Sequence, residues 1–400
     1  MNDGKIQSVT EMIDYQRIMD QLLELPSCAL LTTGRAGTDF LQSLLDSHPQ
    51  VLTFNGYVPY YNFWKESRCA ASKEFDLNDF LDEFIGHFIE RFKSKYDYSE
   101  RKDQLGEKYD QTIDIDLQKF KFEVSSLLKG RELNSRNTLI AIYAAYNICI
   151  GQSLEGKSIF FHHNHDLDGI DLYLNDFPKS QFIIMTRDPR SNFVSGIENW
   201  RIYDETKDRG LHLNGYIKRI LADADLILPY SKKYTAIKIE DLGEKKLLEG
   251  LCQWLGIRYH ECLNKSTWAG LSWHGDRVSV KKNDDEGLSK EMLINNWEER
   301  LSFLDKYILN FIMAERLKHY GYSFREITLF DKVIMPFAIL LPLRYELRFF
   351  SFKYIFNKIS SKQYRILASN ICCYFLRIGL FLKYYFRVLI GRKFLHPFLK

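Results

Sequence analysis

Residues 28–49 read CALLTTGRAGTDFLQSLLDSHP, and the fold is decided by how this stretch is parsed. Cys28 to Thr33 is an apolar run of strand length, Gly34 to Gly37 a glycine-bracketed turn, and Thr38 opens a helix. Phe40, Leu41, Leu44 and Leu45 fall on one face of that helix, and His48-Pro49 stops it. A strand that feeds a tight turn and then a helix leaves unpaired backbone N–H groups converging on one spot. The helix dipole adds partial positive charge there, which suits a phosphate or sulfate. Arg35 adds a full charge with a planar fork of donors, and Thr38 adds a hydroxyl. The GxxxxGK(S/T) spacing of nucleoside-triphosphate loops is absent, since no lysine precedes Thr38.

A second stretch, FIIMTRDPRSNFVSGIENW (182–200), repeats the logic: an apolar strand ends in Arg187, and a proline turn leads into a helix carrying Phe193, Val194, Ser195, Ile197 and Trp200. Together the two stretches resemble the PAPS-dependent sulfotransferase family. Arg187, Pro189 and Ser195 match its RxPxxxxxS element, and IKIEDL (237–242), LCQWLGI (251–257), WAGLSWHGD (268–276) and HYGY (319–322) extend the resemblance over roughly residues 26–325. The resemblance implies that Gly34, Arg35, Ala36, Gly37, Thr38 and Asp39 hold the 5′-phosphosulfate of 3′-phosphoadenosine-5′-phosphosulfate (PAPS). It implies that Arg187 and Ser195 hold the 3′-phosphate. The stretch from Trp268 to Lys282 resembles the family's late loop over the nucleotide, which makes Trp273, Arg277 and Lys281 contact candidates. Ala36 stands where a Ser is common and Asp39 where a Thr is common, and a carboxylate beside the sulfate repels it unless it caps N–H groups or pairs with Arg35.

Sulfuryl transfer requires clamped donor phosphates, neutralisation of the leaving oxygen and deprotonation of the attacking hydroxyl. Arg35 is the catalytic cation of this scheme. The family's lysine is missing before the RxPxxxxxS element, where the chain reads His162-His163-Asn164-His165-Asp166. Either His162 replaces that lysine or Arg35 acts alone. His163 and His165 are the general-base candidates, because an imidazole titrates near neutral pH. Neither the resemblance nor any motif calls for a metal.

The expected fold is α/β: a P-loop-like parallel sheet flanked by helices, with a helical insertion over 57–155 that shapes the acceptor site. Strands are expected near 28–33, 51–55, 157–163, 182–187 and 235–239, with ligands collecting at their C-terminal ends. Helices are expected over 10–25, 76–96 (capped by Asp76, with a phenylalanine stripe read as core or lid packing) and 137–150. Residues 97–125 are highly charged and read as including a solvated loop.

Charge divides the chain near residue 328. Residues 331–400 hold 13 Lys/Arg against 2 Asp/Glu, net +11, while residues 1–330 hold 42 against 50, net −8. This gives a sulfotransferase domain over 1–328 and a basic, aromatic helical tail over 329–400. Its apolar runs, VIMPFAILLPL (333–343) and ILASNICCYFL (366–376), are each shorter than a bilayer span, so the tail is expected to lie on an anionic membrane surface. The seven cysteines show no metal-ligand spacing, and the first residues lack a signal-peptide hydrophobic region. The expected location is cytoplasmic, peripheral on the inner face of the membrane, with no nucleic-acid partner. The expected reaction moves a sulfuryl group from PAPS to a hydroxyl of a glycan, glycolipid or other envelope-type acceptor. The rivals are a phosphate-handling P-loop kinase or NTPase and a catalytically silent membrane-associated scaffold.

Overall fold

The structure, a computed structural model, describes residues 14–32, 34, 36–67, 75–97, 102–165, 169–197, 217–218, 220–221, 233–275 and 297–391. Among these, five parallel strands form one sheet in the order β2-β3-β1-β4-β5: β1 (Ser27–Thr32), β2 (Val51–Leu52), β3 (Ile159–His165), β4 (Gln181–Thr186) and β5 (Tyr234–Lys238). Their buried, β-branched and aromatic runs are what a sheet covered on both faces demands. From β1 the chain passes over β3 to β2, returns to β3, then crosses β1 to β4. The loop after β1 therefore lies where the order reverses, the usual ligand crevice of such sheets.

The helices are α1 (Tyr15–Leu23), α2 (Thr38–Leu45), α3 (Tyr60–Glu66), α4 (Leu77–His87), α5 (Ile89–Phe92), α6 (Leu117–Leu128), α7 (Ser135–Cys149), α8 (Ile170–Asp176), α9 (189–197), α10 (Lys245–Leu255), α11 (Trp297–Arg300), α12 (Phe303–Ile312), α13 (Ala314–His319), α14 (Leu329–Ile339), α15 (Phe352–Ser360) and α16 (Tyr364–Ile390). Successive strand residues point to opposite faces. In β3, His162 bonds Tyr143 of α7 while His163 bonds Gln42 of α2, so α7 and α2 cover opposite faces of the sheet.

The helix expected over 76–96 begins as predicted, with the Asp76 carboxylate accepting from Asn78 N and Asp79 N. It breaks at Phe88, however, whose backbone leaves the helical region. The short α5 that follows ends at Phe92, where Asn55 Nδ2 donates to Arg91 O at 2.9 Å and Ile115 N to Phe92 O at 2.9 Å. The break lets Phe80, Phe84, Phe88 and Phe92 all stay buried, with Phe92 against Phe120 at 4.8 Å. The stripe is core. The charged stretch that follows is not uniformly solvated either, because Lys102 and Leu105 are fully buried.

The core has two parts. The larger packs α1 to α8 and α10 on the sheet. The smaller joins Phe193 and Val194 of α9 to Trp297, α12 and the tail residues Met335, Ile339, Leu343, Phe381, Tyr384 and Tyr385. The charge boundary near residue 328 falls inside this second core. The tail is helical, but its last helix is longer than the apolar runs foretold: α16 spans 27 residues. Arg377, a charge that cuts the run in the sequence, is buried and paired within the fold.

Gly37 sits at φ +84°, at the N-cap of α2. A Cβ there would come within 2.8 Å of Ile239 Cγ1 and overlap its Cδ1. Gly37→Ala is expected to cost about 1–3 kcal/mol, the scale of a non-glycine residue held at positive φ, as read by urea unfolding.

Candidate active site

The site lies beyond the C-terminal ends of β1, β3 and β4. Gly34 and Gly37 both take positive φ, which turns the chain sharply into α2. Gly34 N donates to Thr32 Oγ1 at 3.0 Å. Ala36 is fully buried in the larger core, so its methyl faces packing and a hydroxyl there would have been buried too. Thr38 is buried in the first turn of α2. Arg35 and Arg277, together with Lys281, lie outside the described residues.

Asp39 stands against a histidine: its Oδ1 is 3.6 Å from His163 Nδ1. The histidines themselves are divided by the strand's geometry. β1 pairs Leu30 with His163 and Leu31 with His165, skipping Asn164, and His165 takes φ +64°. This bulge re-aims His165 at the strand end, a device common beside active sites. His162 points the other way, into the core. Its Nδ1 meets the Tyr143 phenolic hydroxyl at 2.7 Å and its ring stacks on Tyr173, so it does not replace the missing lysine. Burial lowers its pKa to about 3.

His163 and His165 form one half of a directional chain. Gln42 Nε2 donates to Phe54 O and faces Gly56 O at 3.5 Å. Carbonyls only accept, so the amide oxygen is the end that meets His163 Nδ1, at 2.7 Å. His163 Nδ1 thus carries the proton, as its nearness to Asp39 also favours. Burial, then the neighbouring His165, His162, Arg91 and Lys102, holds the His163 pKa well below its ordinary value, so the ring is neutral and Nε2 bears a lone pair. That Nε2 lies 3.2 Å from His165 Nδ1, which must donate. A neutral ring at His165 then carries its lone pair on Nε2. The Tyr57 ring packs on His165 with centroids 4.8 Å apart and fixes its plane.

Sequence reasoning missed Gln42, Tyr57, Arg91 and Lys102. Gln42 reads as an ordinary helix residue. Arg91 and Lys102 come from the insertion: Lys102 lies over Trp268 at 3.8 Å and 3.7 Å from Asp97. Gly56 leaves room for the Arg91 guanidinium and the Trp268 ring, which a Cβ would meet at 2.6 and 2.7 Å. Trp268 also packs on Trp273, with centroids 5.2 Å apart.

Arg187 stands half-buried just past β4, and Ser195 half-buried on α9. The neighbouring Arg190 is committed elsewhere. Its guanidinium grips Asp188 through Nε (3.0 Å) and Nη2 (2.7 Å), donates from Nη1 to Asn310 at 2.8 Å, and stacks on Trp297 at 3.9 Å. Asp188 N in turn donates to Glu240, whose other oxygen accepts from Tyr322. This clasp fixes the turn after β4. Ser191 Oγ, one helical turn before Ser195, is buried and has no hydrogen-bond partner among the described residues. A buried unsatisfied hydroxyl is costly unless a ligand completes it.

No family model and no curated protein matches the chain. Among solved structures it is similar to the sulfotransferase domain from the Synechococcus PCC 7002 olefin synthase, at 14% identity and TM-score 0.41, covering 75% of this chain and 96% of that one. It is similar also to the sulfotransferase domain from the curacin biosynthetic pathway, at 13% identity and TM-score 0.44, covering 75% and 99%. A third is sulfotransferase STF9 from Mycobacterium avium, at 13% identity and TM-score 0.32, covering 62% and 67%. At such TM-scores the site itself has to carry the functional reading.

Proposed function

We propose that the chain transfers a sulfuryl group from PAPS to a hydroxyl, releasing adenosine 3′,5′-bisphosphate. The observation that carries this reading is the convergence, at the C-terminal ends of the central strands, of a glycine-shaped helix start, a histidine chain of fixed polarity, and Arg187 followed by Ser191 and Ser195 one turn apart on α9. The unsatisfied Ser191 hydroxyl supports a ligand oxygen there.

In the proposed step the α2 N-terminus and Arg35 receive the phosphosulfate, and Arg187, Ser191 and Ser195 the 3′-phosphate. The acceptor oxygen forms a bond to sulfur while the bond from sulfur to the bridging phosphate oxygen breaks. The acceptor's proton passes to His165 Nε2, and the electron pair of the broken bond leaves with the bisphosphate. Buried Arg91 adds positive potential that already acts on His163, while the charge of Lys102 is partly offset by Asp97 at 3.7 Å. In this reading Asp39, its Oδ1 3.6 Å from His163 Nδ1, helps keep the His163 proton on Nδ1. A hydroxyl of a glycan or glycolipid is the acceptor class we infer, on the strength of the C-terminal helices.

Calorimetric titration of adenosine 3′,5′-bisphosphate tests the donor site. Arg187→Ala is expected to weaken binding by about 2 kcal/mol or more, the scale of a lost charge-assisted pair. Unchanged affinity removes Arg187 from the site. Tighter binding of ATP with magnesium than of the bisphosphate would favour a kinase, and binding of neither a silent scaffold.

A further inference from the structure

The C-terminal helices leave a broad apolar surface outward. On α14, Leu329, Phe330, Val333 and Phe337 recur at helical spacing on the exposed side, with Leu329 78% exposed, and Leu340 and Leu341 continue it just past the helix end. α15 has no buried residue, and its Phe352, Phe356 and Ile359 face outward, Phe352 87% exposed. On α16, Tyr364, Ile371, Phe375, Phe386 and Ile390 continue the pattern. The three are clasped side by side: the Tyr374 hydroxyl donates to Leu340 O, its ring meets Phe350 at 5.1 Å, and Asn370 Nδ2 donates to the Tyr354 hydroxyl. An exposed apolar area of this extent marks a docking surface.

Its charge says what docks. The segment's two acids are both taken inward. Glu346 is buried with Arg377, and Asp331 is buried with Thr328, Tyr307 and Arg325. The exposed charges among the described residues of these helices and their links are therefore cations: Arg344, Lys353, Lys362, Arg365 and Lys383. Aromatic and aliphatic groups on helices whose own exposed charges are cations, with Glu326 just ahead of α14 as the nearby exposed acid, match an anionic lipid headgroup layer.

We propose that α14 (Leu329–Ile339), α15 (Phe352–Ser360) and α16 (Tyr364–Ile390) dock the protein onto an anionic bilayer, such as a cytoplasmic leaflet, lying along its surface. By length and composition α16 could cross a membrane. Its contacts hold it flat instead. Arg377, at its middle, bonds Glu346 and the carbonyls of Ile339 and Leu341, while Phe381, Tyr384 and Tyr385 sit in the second core, with Tyr385 stacked on Phe311 of α12. Crossing would have to tear these from α12 and α14. The proposal does not rest on the transfer reaction.

The test is co-sedimentation of the full chain with phosphatidylcholine vesicles, with and without phosphatidylglycerol. Binding is expected only with the anionic lipid, and alkaline carbonate should release it. The triple variant Phe337→Ser/Phe352→Ser/Phe356→Ser and the charge variant Lys353→Glu/Arg365→Glu/Lys383→Glu should each weaken partitioning at least tenfold. These groups are solvent-facing, so melting temperatures should not move; should the aromatic set lower melting, the charge set alone decides. Equal binding to neutral vesicles, full retention by either variant, or no binding overturns the proposal. Retention through carbonate extraction overturns the surface orientation in favour of a span. A concentration-dependent dimer abolished by the aromatic set, without lipid binding, assigns the surface to a second copy of the chain.

Discussion

Glu346→Ala is expected to lower the unfolding free energy by about 3–5 kcal/mol, the scale of breaking a buried ion pair by removing one partner. The Arg377 side chain is fully buried and that of Glu346 is 3% exposed, with a two-point grip at 3.0 and 2.7 Å. The carboxylate also accepts from Leu343 N at 2.8 Å, so its loss opens the end of α14 as well. Alanine leaves a guanidinium without a counter-charge where water does not reach. Replacing both partners together, by Glu346→Leu and Arg377→Met, should restore most of the loss, since an apolar pair incurs no desolvation cost. Guanidinium unfolding followed by circular dichroism reads both. A loss under 1 kcal/mol for the single variant would mean the pair is solvated. Because Phe193 and Val194 of α9 share that core with the tail, weaker bisphosphate binding should accompany the loss. α9 is braced by residues far beyond the charge boundary.

His165→Ala is expected to lower kcat about 10²–10⁴-fold, the usual worth of a positioned general base, while bisphosphate affinity stays unchanged. The prediction follows from the chain Gln42–His163–His165, which puts the basic lone pair on His165 Nε2. His163 touches no substrate in this scheme and acts as a positioning residue. Gln42→Leu removes the acceptor that holds the His163 proton on Nδ1 and lets the ring turn over its tautomers. It should lower kcat less than His165→Ala and move the acid side of the kcat–pH profile, which a loss of packing alone would not. An unaltered kcat in His165→Ala would transfer the base role to another group. A fall in both kcat and bisphosphate affinity would place His165 in donor binding instead.

How much of this was legible in the sequence varies by element. The β1–turn–α2 unit was readable because every interaction that makes it is local: apolar strand residues, two glycines able to take positive φ, and an amphipathic helix stopped by His48-Pro49. The RxPxxxxxS spacing likewise placed Arg187 and Ser195 at one strand end. The cap by Asp76 was legible for the same reason, but the helix behind it breaks at Phe88 and stops at Phe92, where Asn55 and Ile115 take the Arg91 and Phe92 carbonyls, and periodicity cannot see either. The histidine cluster was visible as composition only. Nothing local says that a bulge at Asn164 turns His165 outward, that His162 falls to the opposite face against Tyr143, or that Gln42 sets the proton order.

The sequence by itself determined the parallel α/β plan, the glycine-bracketed turn into α2 and the basic, apolar character of the last 70 residues, because backbone preference, hydrophobic period and net charge are properties of neighbouring residues. Only the tertiary structure decided which histidine faces the site, which cations from the insertion stand beside it, and that Arg377 pairs inward and lets α16 run for 27 residues. Those outcomes depend on groups far apart in the chain meeting where water is excluded, and there burial fixes proton positions and charge pairing more strongly than any local propensity.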